Sequence, residues 1–371
     1  MTQAARVQRE TQRAVQSDGT GAGLLWGDAL REHWMRRLGE CAEAEEIVAL
    51  LSHSLAPTTA GGYSRHVTRF AEWCRAQPDQ PSPLPASTAT VVRWLVADVV
   101  AGDRVQAKSL QPYLSAVNRL HRDLECDEPA LGHVVQQVRR AVALRQADRG
   151  RSTQRVYLPP PVMARVLDWA LAQDLDHLRA NSRARHLFRA AVASVLVFAV
   201  FCRGDTGSSL RHGDVRCSSA GISVTLDHEK GKRVEGTARV ITFPPGAVPG
   251  LERLLAMWEE LRGALERAPV ASSYFAFAHE RRVVLPSTQI DTWLTLILDH
   301  LGERPPAGET WSGHSLRKGA ASGAGAIDVA LFRICYIGGW SIKSRAVHDY
   351  IDATCPDTPA ARRFFGWLTR R

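Results

Sequence analysis

The chain has 371 residues, 45% hydrophobic and 23% charged, proportions that exclude a disordered or fibrous protein. Lys and Arg outnumber Asp and Glu by 47 to 38, for a net charge of +9 and a pI near 9.5. That balance suits a polyanionic partner, because cations on a protein displace counterions from phosphates, but it equally describes an inert basic surface. The longest apolar run, Ala190 to Cys202, is too short to span a bilayer. The seven cysteines include no C-x-x-C pair, no His cluster stands at zinc spacing, and the opening MTQAARVQRETQRAVQSDGTG lacks the apolar stretch of a secretory signal. A soluble intracellular protein with reduced thiols, no metal and no membrane association is expected.

The length suits two domains preceded by a short extension. Residues 1–45 form that extension: the first twenty or so are expected to be disordered by composition, and a helix follows around Leu30 to Leu38. Residues 46–150 read as all helix. A helix starting at Thr58 or Thr59 carries Tyr63, Val67, Phe70 and Trp73/Cys74 at helical spacing until QPDQPSPLP ends it. Ser87 caps a helix carrying Val91, Trp94, Leu95 and Val99. In KSLQPYLSAVNRLHRDL, Leu110, Leu114, Val117 and Leu120 line one face, and Lys108, Gln111, Ser115, Arg119 and Arg122 line the other. That polar set is either a solvated face or a contact with a phosphate backbone.

QADRGRSTQRV, from Gln146 to Val156, has no apolar face and reads as a linker into a second domain over 151–371. Helices over Pro160 to Ala172 and Ser182 to Cys202 precede DVRCSS, GISVTLDH and TARVITFP, three strands of a small antiparallel sheet with Lys230 and Lys232 in the second connection. Helices over Gly250 to Leu265 and Ser287 to Leu301 follow, then shorter ones. The predicted fold class is mainly α with a small antiparallel β-sheet.

Three clusters carry chemistry-bearing residues: FCRGDTGSSLRHGDV with Arg203, WSGHSLRKGAASGAGA with His314 and Arg317 three apart on a helix, and GGWSIKSRAVHDYID with Trp340 and Tyr350. Singly each is weak, since an Arg after an apolar helix is usually a helix-end charge and a Tyr between apolar residues is usually core. Together they run Arg, Lys, H-x-x-R, Trp, Tyr. In this the chain resembles the tyrosine recombinase (phage integrase) family over residues 45 to 371. The resemblance implies a helical core-binding (SAM-like) domain followed by a catalytic domain with the DNA breaking-rejoining fold. Trp340 and the WSIKSRAVHDYID ending resemble recombinases of eukaryotic mobile elements more than the bacterial chromosome-resolving ones.

The resemblance also implies roles. Tyr350 would be the nucleophile; because a phenol has a pKa of about 10, it needs a base or nearby cations. Arg203 and Arg317 would hold non-bridging phosphate oxygens through paired N–H donors. Lys230 would protonate the departing 5′ oxygen, with Lys232 its rival. His314 would assist at the nucleophile side or hold a phosphate oxygen, and Trp340 would donate one hydrogen bond. A 3′-phosphotyrosyl intermediate conserves the bond energy, so no cofactor, ATP or metal is implied. The implied partner is double-stranded DNA, bound by a homotetramer on two sites and a monomer without DNA, in the nucleus or the bacterial cytoplasm according to host. A type IB topoisomerase or a silent DNA-binding descendant are the alternatives.

Some positions depart from the family pattern. Thr206 stands where an acidic residue is usual, with Asp205 one before it, and the gap from Trp340 to Tyr350 is one residue longer than usual. Tyr336, the rival nucleophile, reads as core, and His348 as surface. The terminal TPAARRFFGWLTRR is apolar enough to dock on its own domain or, as the resemblance implies for DNA-bound forms, on a neighbouring protomer.

Overall fold

The computed structural model describes residues 26–39, 41–52, 54–55, 57–101, 105–147, 154–226, 238–265, 276–277, 285–343 and 345–369. The chain divides into two compact units, Met1–Arg151 and Ser152–Arg371.

The first unit is helical: α1 (Trp26–Leu38), α2 (Ala44–Ser52), α3 (Pro57–Ala76), α4 (Thr88–Trp94), α5 (Gln111–Asp123) and α6 (His133–Ala147). The Ser87 hydroxyl caps α4 by accepting from the Thr90 amide at 3.0 Å. Helix α5 buries Leu114, Val117 and Leu120 and exposes Gln111 and Arg122, the pattern of an amphipathic helix. Its buried His121 accepts from the Ala86 amide at Nε2 and lies 2.8 Å from the Val117 carbonyl at Nδ1. Those two bonds suit the neutral imidazole, and burial pushes its pKa below the ordinary value. Leu30 of α1 is buried with Val67, Leu84 and Leu120, and the Trp34 indole donates to the Asp123 carbonyl at 2.9 Å. Helix α1 therefore packs into this unit rather than standing apart in a 1–45 extension. The expected disorder of the first twenty residues falls outside the described residues.

The second unit is built around α9 (Ser182–Ala199), from whose Leu187 onward every residue but Arg189 is buried. A helix apolar all round belongs at the centre of a core. It is surrounded by α7 (Pro160–Leu171), α8 (Leu175–Ala180), α11 (Leu251–Leu265), α12 (Gln289–His300) and α13 (Gly313–Ala326). The helix was expected to reach Cys202. It stops at Ala199 because Phe201 turns the backbone to φ +54°, and Arg203 then starts the short α10 (Gly204–Ser209).

The three expected strands form: β1 (Val215–Ser218), β2 (Gly221–Leu226) and β3 (Arg239–Phe243), antiparallel in that order. Ile222 pairs with Phe243 and Val224 with Ile241. Their alternation buries one face against the core. Lys230 and Lys232 lie outside the described residues. Helices α14 (Leu331–Gly338) and α15 (Pro359–Phe365) complete the unit. Among the described residues no helix is long and apolar enough to cross a membrane.

Glycines let backbones approach α13. A Cβ on Gly319 would stand 2.0 Å from the Leu158 carbonyl oxygen, and the Leu158 amide donates to the Ser315 carbonyl at 3.0 Å. A Cβ on Gly323 would meet Pro160 and the Phe365 ring. The small residues of GAASGAGA thus accept the chain entering the unit on one side and its last helix on another. Phe364 and Phe365 are fully buried and pack on Phe198, with ring centroids 5.1 and 5.5 Å away. In the free chain the terminal segment docks on its own unit.

Candidate active site

Four segments meet at α13. Arg203 sits at the N-cap of α10, on the loop that Phe201 turns. Gly204 and Gly313 let that loop touch the start of α13: a Cβ on Gly313 would lie 3.4 Å from the Gly204 Cα and 2.6 Å from the Asp291 carboxylate. The Gly313 amide donates to that carboxylate, which occupies the positive end of the helix. Both arginine-bearing elements are thus set by glycines beside the functional residues, in Arg203-Gly204 and Gly313-His314.

Arg317 has no exposed surface. Its guanidinium donates to the Phe201 carbonyl at 2.9 Å and the Gly338 carbonyl at 2.6 Å, tying the Arg203 loop to the end of α14. Among the described residues its Nε has no partner. Burial, reinforced by the nearby Arg203 charge, pushes Arg317 down to about 10, so it remains a cation at neutral pH. Arg203 itself is half-buried and makes no side-chain hydrogen bond or salt bridge among the described residues. One guanidinium is fixed and the other is available.

The rings close over Arg317. Its Cζ lies 4.0 Å from the Trp340 ring centroid and 5.4 Å from that of Tyr350. Tyr350 in turn packs on Trp340 at 4.9 Å and on His314 at 4.8 Å between centroids. Trp340 takes this place because α14 ends in a left-handed Gly339, φ +66°, and because the indole lies flat on Gly338. A Cβ there would be 1.9 Å from Cζ3.

Arg203, His314, Arg317, Trp340 and Tyr350 are therefore brought together, whereas Lys230, the expected general acid on the connection between the second and third strands, and its rival Lys232 lie outside the described residues. His314 is exposed and Arg317 buried, and both reach Tyr350 from one side of α13. Tyr350 lies on no α-helix; it follows a 3₁₀ turn, Arg345–Asp349. Thr206 is buried, and Asp205 is turned back onto the Thr206 amide at 2.7 Å. His348 is exposed, as expected. Tyr336 corrects the expectation that it is core: it is 63% exposed, because it lies on the outer side of α14, where its hydroxyl donates to the Val240 carbonyl at 3.4 Å.

In the helical unit, Arg119 is held by Asp123 at 2.6 Å and donates to Ser54. Arg122 grips Glu128 with two bonds of 2.9 and 2.7 Å, and Gln111 donates to Ser115. A phosphate contact by either arginine would compete with a carboxylate already in place. The Lys108 side chain lies outside what is described. Sequence reasoning missed Asp291 and Arg239, which is buried in β3 and donates to the Ile337 carbonyl; their partners are remote in sequence. Among the described residues no group of three or more His, Cys, Asp or Glu side chains is placed to hold a metal ion.

No protein-family model and no curated protein matches the chain. Solved structures do. A XerH site-specific recombinase bound to palindromic difH substrate, in a post-cleavage complex, is similar with a TM-score of 0.56 at 12% identity, covering 93% of this chain and 92% of that one. A Tn1549 transposon integrase in complex with circular intermediate DNA gives 0.55 at 10%, covering 90% and 97%. A lambda integrase tetramer bound to a Holliday junction gives 0.52 at 14%, covering 94% and 86%. The chain has the fold of the tyrosine recombinases.

Proposed function

We propose that the protein is a site-specific DNA recombinase that cuts and rejoins DNA through a covalent bond to Tyr350. The observation that carries this reading is the packing of the Tyr350 ring against both His314 and the Arg317 guanidinium, with Arg203, which has no side-chain partner among the described residues, close enough for its charge to act on Arg317.

The Tyr350 oxygen attacks a phosphodiester phosphorus, its proton passing to His314 or to water. A bond from that oxygen to phosphorus forms, the bond to the 5′ oxygen breaks, and the 5′ oxygen takes a proton from Lys230. The 3′-phosphotyrosyl bond is later attacked by the 5′ hydroxyl of an incoming strand, which restores the phenol. Negative charge grows on the phosphate oxygens as the transition state forms. Arg203 and Arg317 oppose it, each contributing about 3 kcal/mol in the manner of a preorganised oxyanion donor. Trp340 donates one indole N–H to the same phosphate. Each step conserves phosphodiester bond energy, so none consumes ATP. Four protomers on two DNA sites follow from the need to exchange strands between duplexes, an assembly of the kind named for the lambda integrase tetramer on a Holliday junction.

The test is incubation with nicked suicide DNA, whose released fragment prevents religation. A protein–DNA adduct stable to denaturant is expected, and none from Tyr350→Phe. An adduct undiminished by that substitution overturns the assignment. Efficient relaxation of plasmid of arbitrary sequence by monomer would instead make the protein a topoisomerase.

A further inference from the structure

We infer that Ser322 is a positioning residue for the nucleophile: its buried hydroxyl fixes the backbone on both sides of Ile351 and so sets where the Tyr350 side chain stands. This rests on the reading of Tyr350 as the attacking group.

Tyr350 receives little support from its own segment. Its amide and that of Ile351 both turn back to the Val347 carbonyl, at 3.0 and 3.2 Å, and the regular hydrogen-bond ladder ends there. The next groups go to α13 instead. The Tyr350 carbonyl accepts from the Ser322 hydroxyl at 3.0 Å, and the Asp352 amide donates to the Ser322 Oγ at 2.9 Å. Ser322 has no exposed surface, so water cannot replace it. A helical serine ordinarily does no more than bond the carbonyl one turn back. Ser322 has that option, with the Lys318 carbonyl at 2.8 Å, but its single proton is also within reach of Tyr350, and its lone pair holds Asp352.

The neighbours on α13 act in the same direction. His314, Lys318 and Ser322 are spaced by four and form one stripe along the helix. His314 meets the Tyr350 ring, and the Lys318 ammonium lies 3.6 Å from the Asp352 carboxylate. One turn on, Gly325 leaves room for Ile351, whose Cγ2 would be 3.1 Å from an added Cβ. The stripe thus grips residues 350 to 352 by ring, charge, hydroxyl and absence of a side chain. Of these grips, only the Ser322 hydroxyl holds the nucleophile's own main chain.

Ser322→Ala leaves the Tyr350 carbonyl and the Asp352 amide without that partner and lets the segment shift. A displacement of the reacting group by about 1 Å costs on the order of 100-fold in rate, so adduct formation on suicide DNA should slow by about 10- to 100-fold. DNA affinity, read by fluorescence anisotropy, should stay within about twofold, because the buried Ser322 hydroxyl bonds only main chain of its own unit and offers nothing to the duplex. Ser194→Ala serves as the control: Ser194 is equally buried in a helix of the same unit, but its hydroxyl has no partner. It should change neither rate nor affinity. If Ser322→Ala melts below the assay temperature, Ser322→Cys, of similar shape and with a weaker donor, carries the same comparison. An adduct rate equal to that of the unsubstituted protein, or a fall in rate matched by a fall in affinity, overturns the inference. If Tyr350→Phe also forms the adduct, the reading of the nucleophile fails instead, and the two failures are thereby told apart.

Discussion

Replacing Gly338 by alanine probes how the site is closed. The new Cβ would lie 1.9 Å from Cζ3 and 2.1 Å from Cε3 of Trp340, so the indole must leave the place where it covers Arg317. The backbone raises no objection: Gly338 is the last residue of α14 and lacks the left-handed φ of Gly339. Losing a helical glycine should return up to about 1 kcal/mol. Against that gain stand about 1–3 kcal/mol of overpacking and about 0.5–2 kcal/mol for the lost cation–π contact. The net loss is about 2 kcal/mol, which lowers Tm by about 4–8 °C in a unit of this size. Calorimetry reads it, beside Gly263→Ala as a reference. A Cβ at the exposed Gly263 of α11 meets nothing within 4 Å, so that variant should gain about 0.5–1 kcal/mol. If Gly338→Ala rises in Tm as Gly263→Ala does, the indole is not seated on Gly338 and the closed arrangement described for Arg317 is wrong.

Gly319→Ala should be more damaging than Gly338→Ala, because the atom it strikes is the Leu158 carbonyl oxygen at 2.0 Å and main chain cannot swing aside as an indole can; calorimetry giving it an unchanged Tm would refute the close approach. His121 has a folded-state pKa below the unfolded value of about 6.5, so its neutral form adds stability above that pH, lost as pH falls through the folded value. NMR titration should find a midpoint below the ordinary value of about 6.5, and a midpoint at or above it would contradict the pair of bonds to Ala86 and Val117. Arg122→Gln should leave the salt dependence of DNA binding unchanged, since Arg122 is held by Glu128; a fall of about 0.9 in the log–log slope would instead place this side chain on a phosphate.

Much of the second unit was legible because its signals are local. An apolar run from Ala190 announces a central helix, and alternation in GISVTL and RVITF announces half-buried strands whose register is then forced. The convergence of Arg203, His314, Arg317, Trp340 and Tyr350 was legible only through their order along the chain, not through any one spacing. What stayed hidden depends on partners far away in sequence. Nothing near Phe201 says that its carbonyl will accept from Arg317, 116 residues on, and so nothing says that α9 must stop three residues early. Tyr336 looked like core because its neighbours Ile334, Cys335 and Ile337 are core; helical phase puts it on the other side. The polar face of α5 looked free because Glu128, which binds Arg122, lies beyond the end of that helix.

The two arginines differ in a way that bears on how the proposed reaction begins. Arg203 is partly open and has no side-chain partner among the described residues, so a phosphate arriving from solvent meets it first. Arg317 is shielded by the rings of Trp340 and Tyr350, and its two carbonyl bonds use two of the five N–H donors of its guanidinium. Its Nε has no partner among the described residues, and burial of an unmet donor is costly. A phosphate oxygen can meet that need only after the rings separate. One of those rings belongs to the proposed nucleophile, so a displacement that opens Arg317 also moves the Tyr350 ring. In the free chain the phenol ring is packed against imidazole, indole and guanidinium. In the proposed reaction, reactivity is thereby tied to the presence of the phosphodiester: the charge that must be neutralised is what draws the second guanidinium into use.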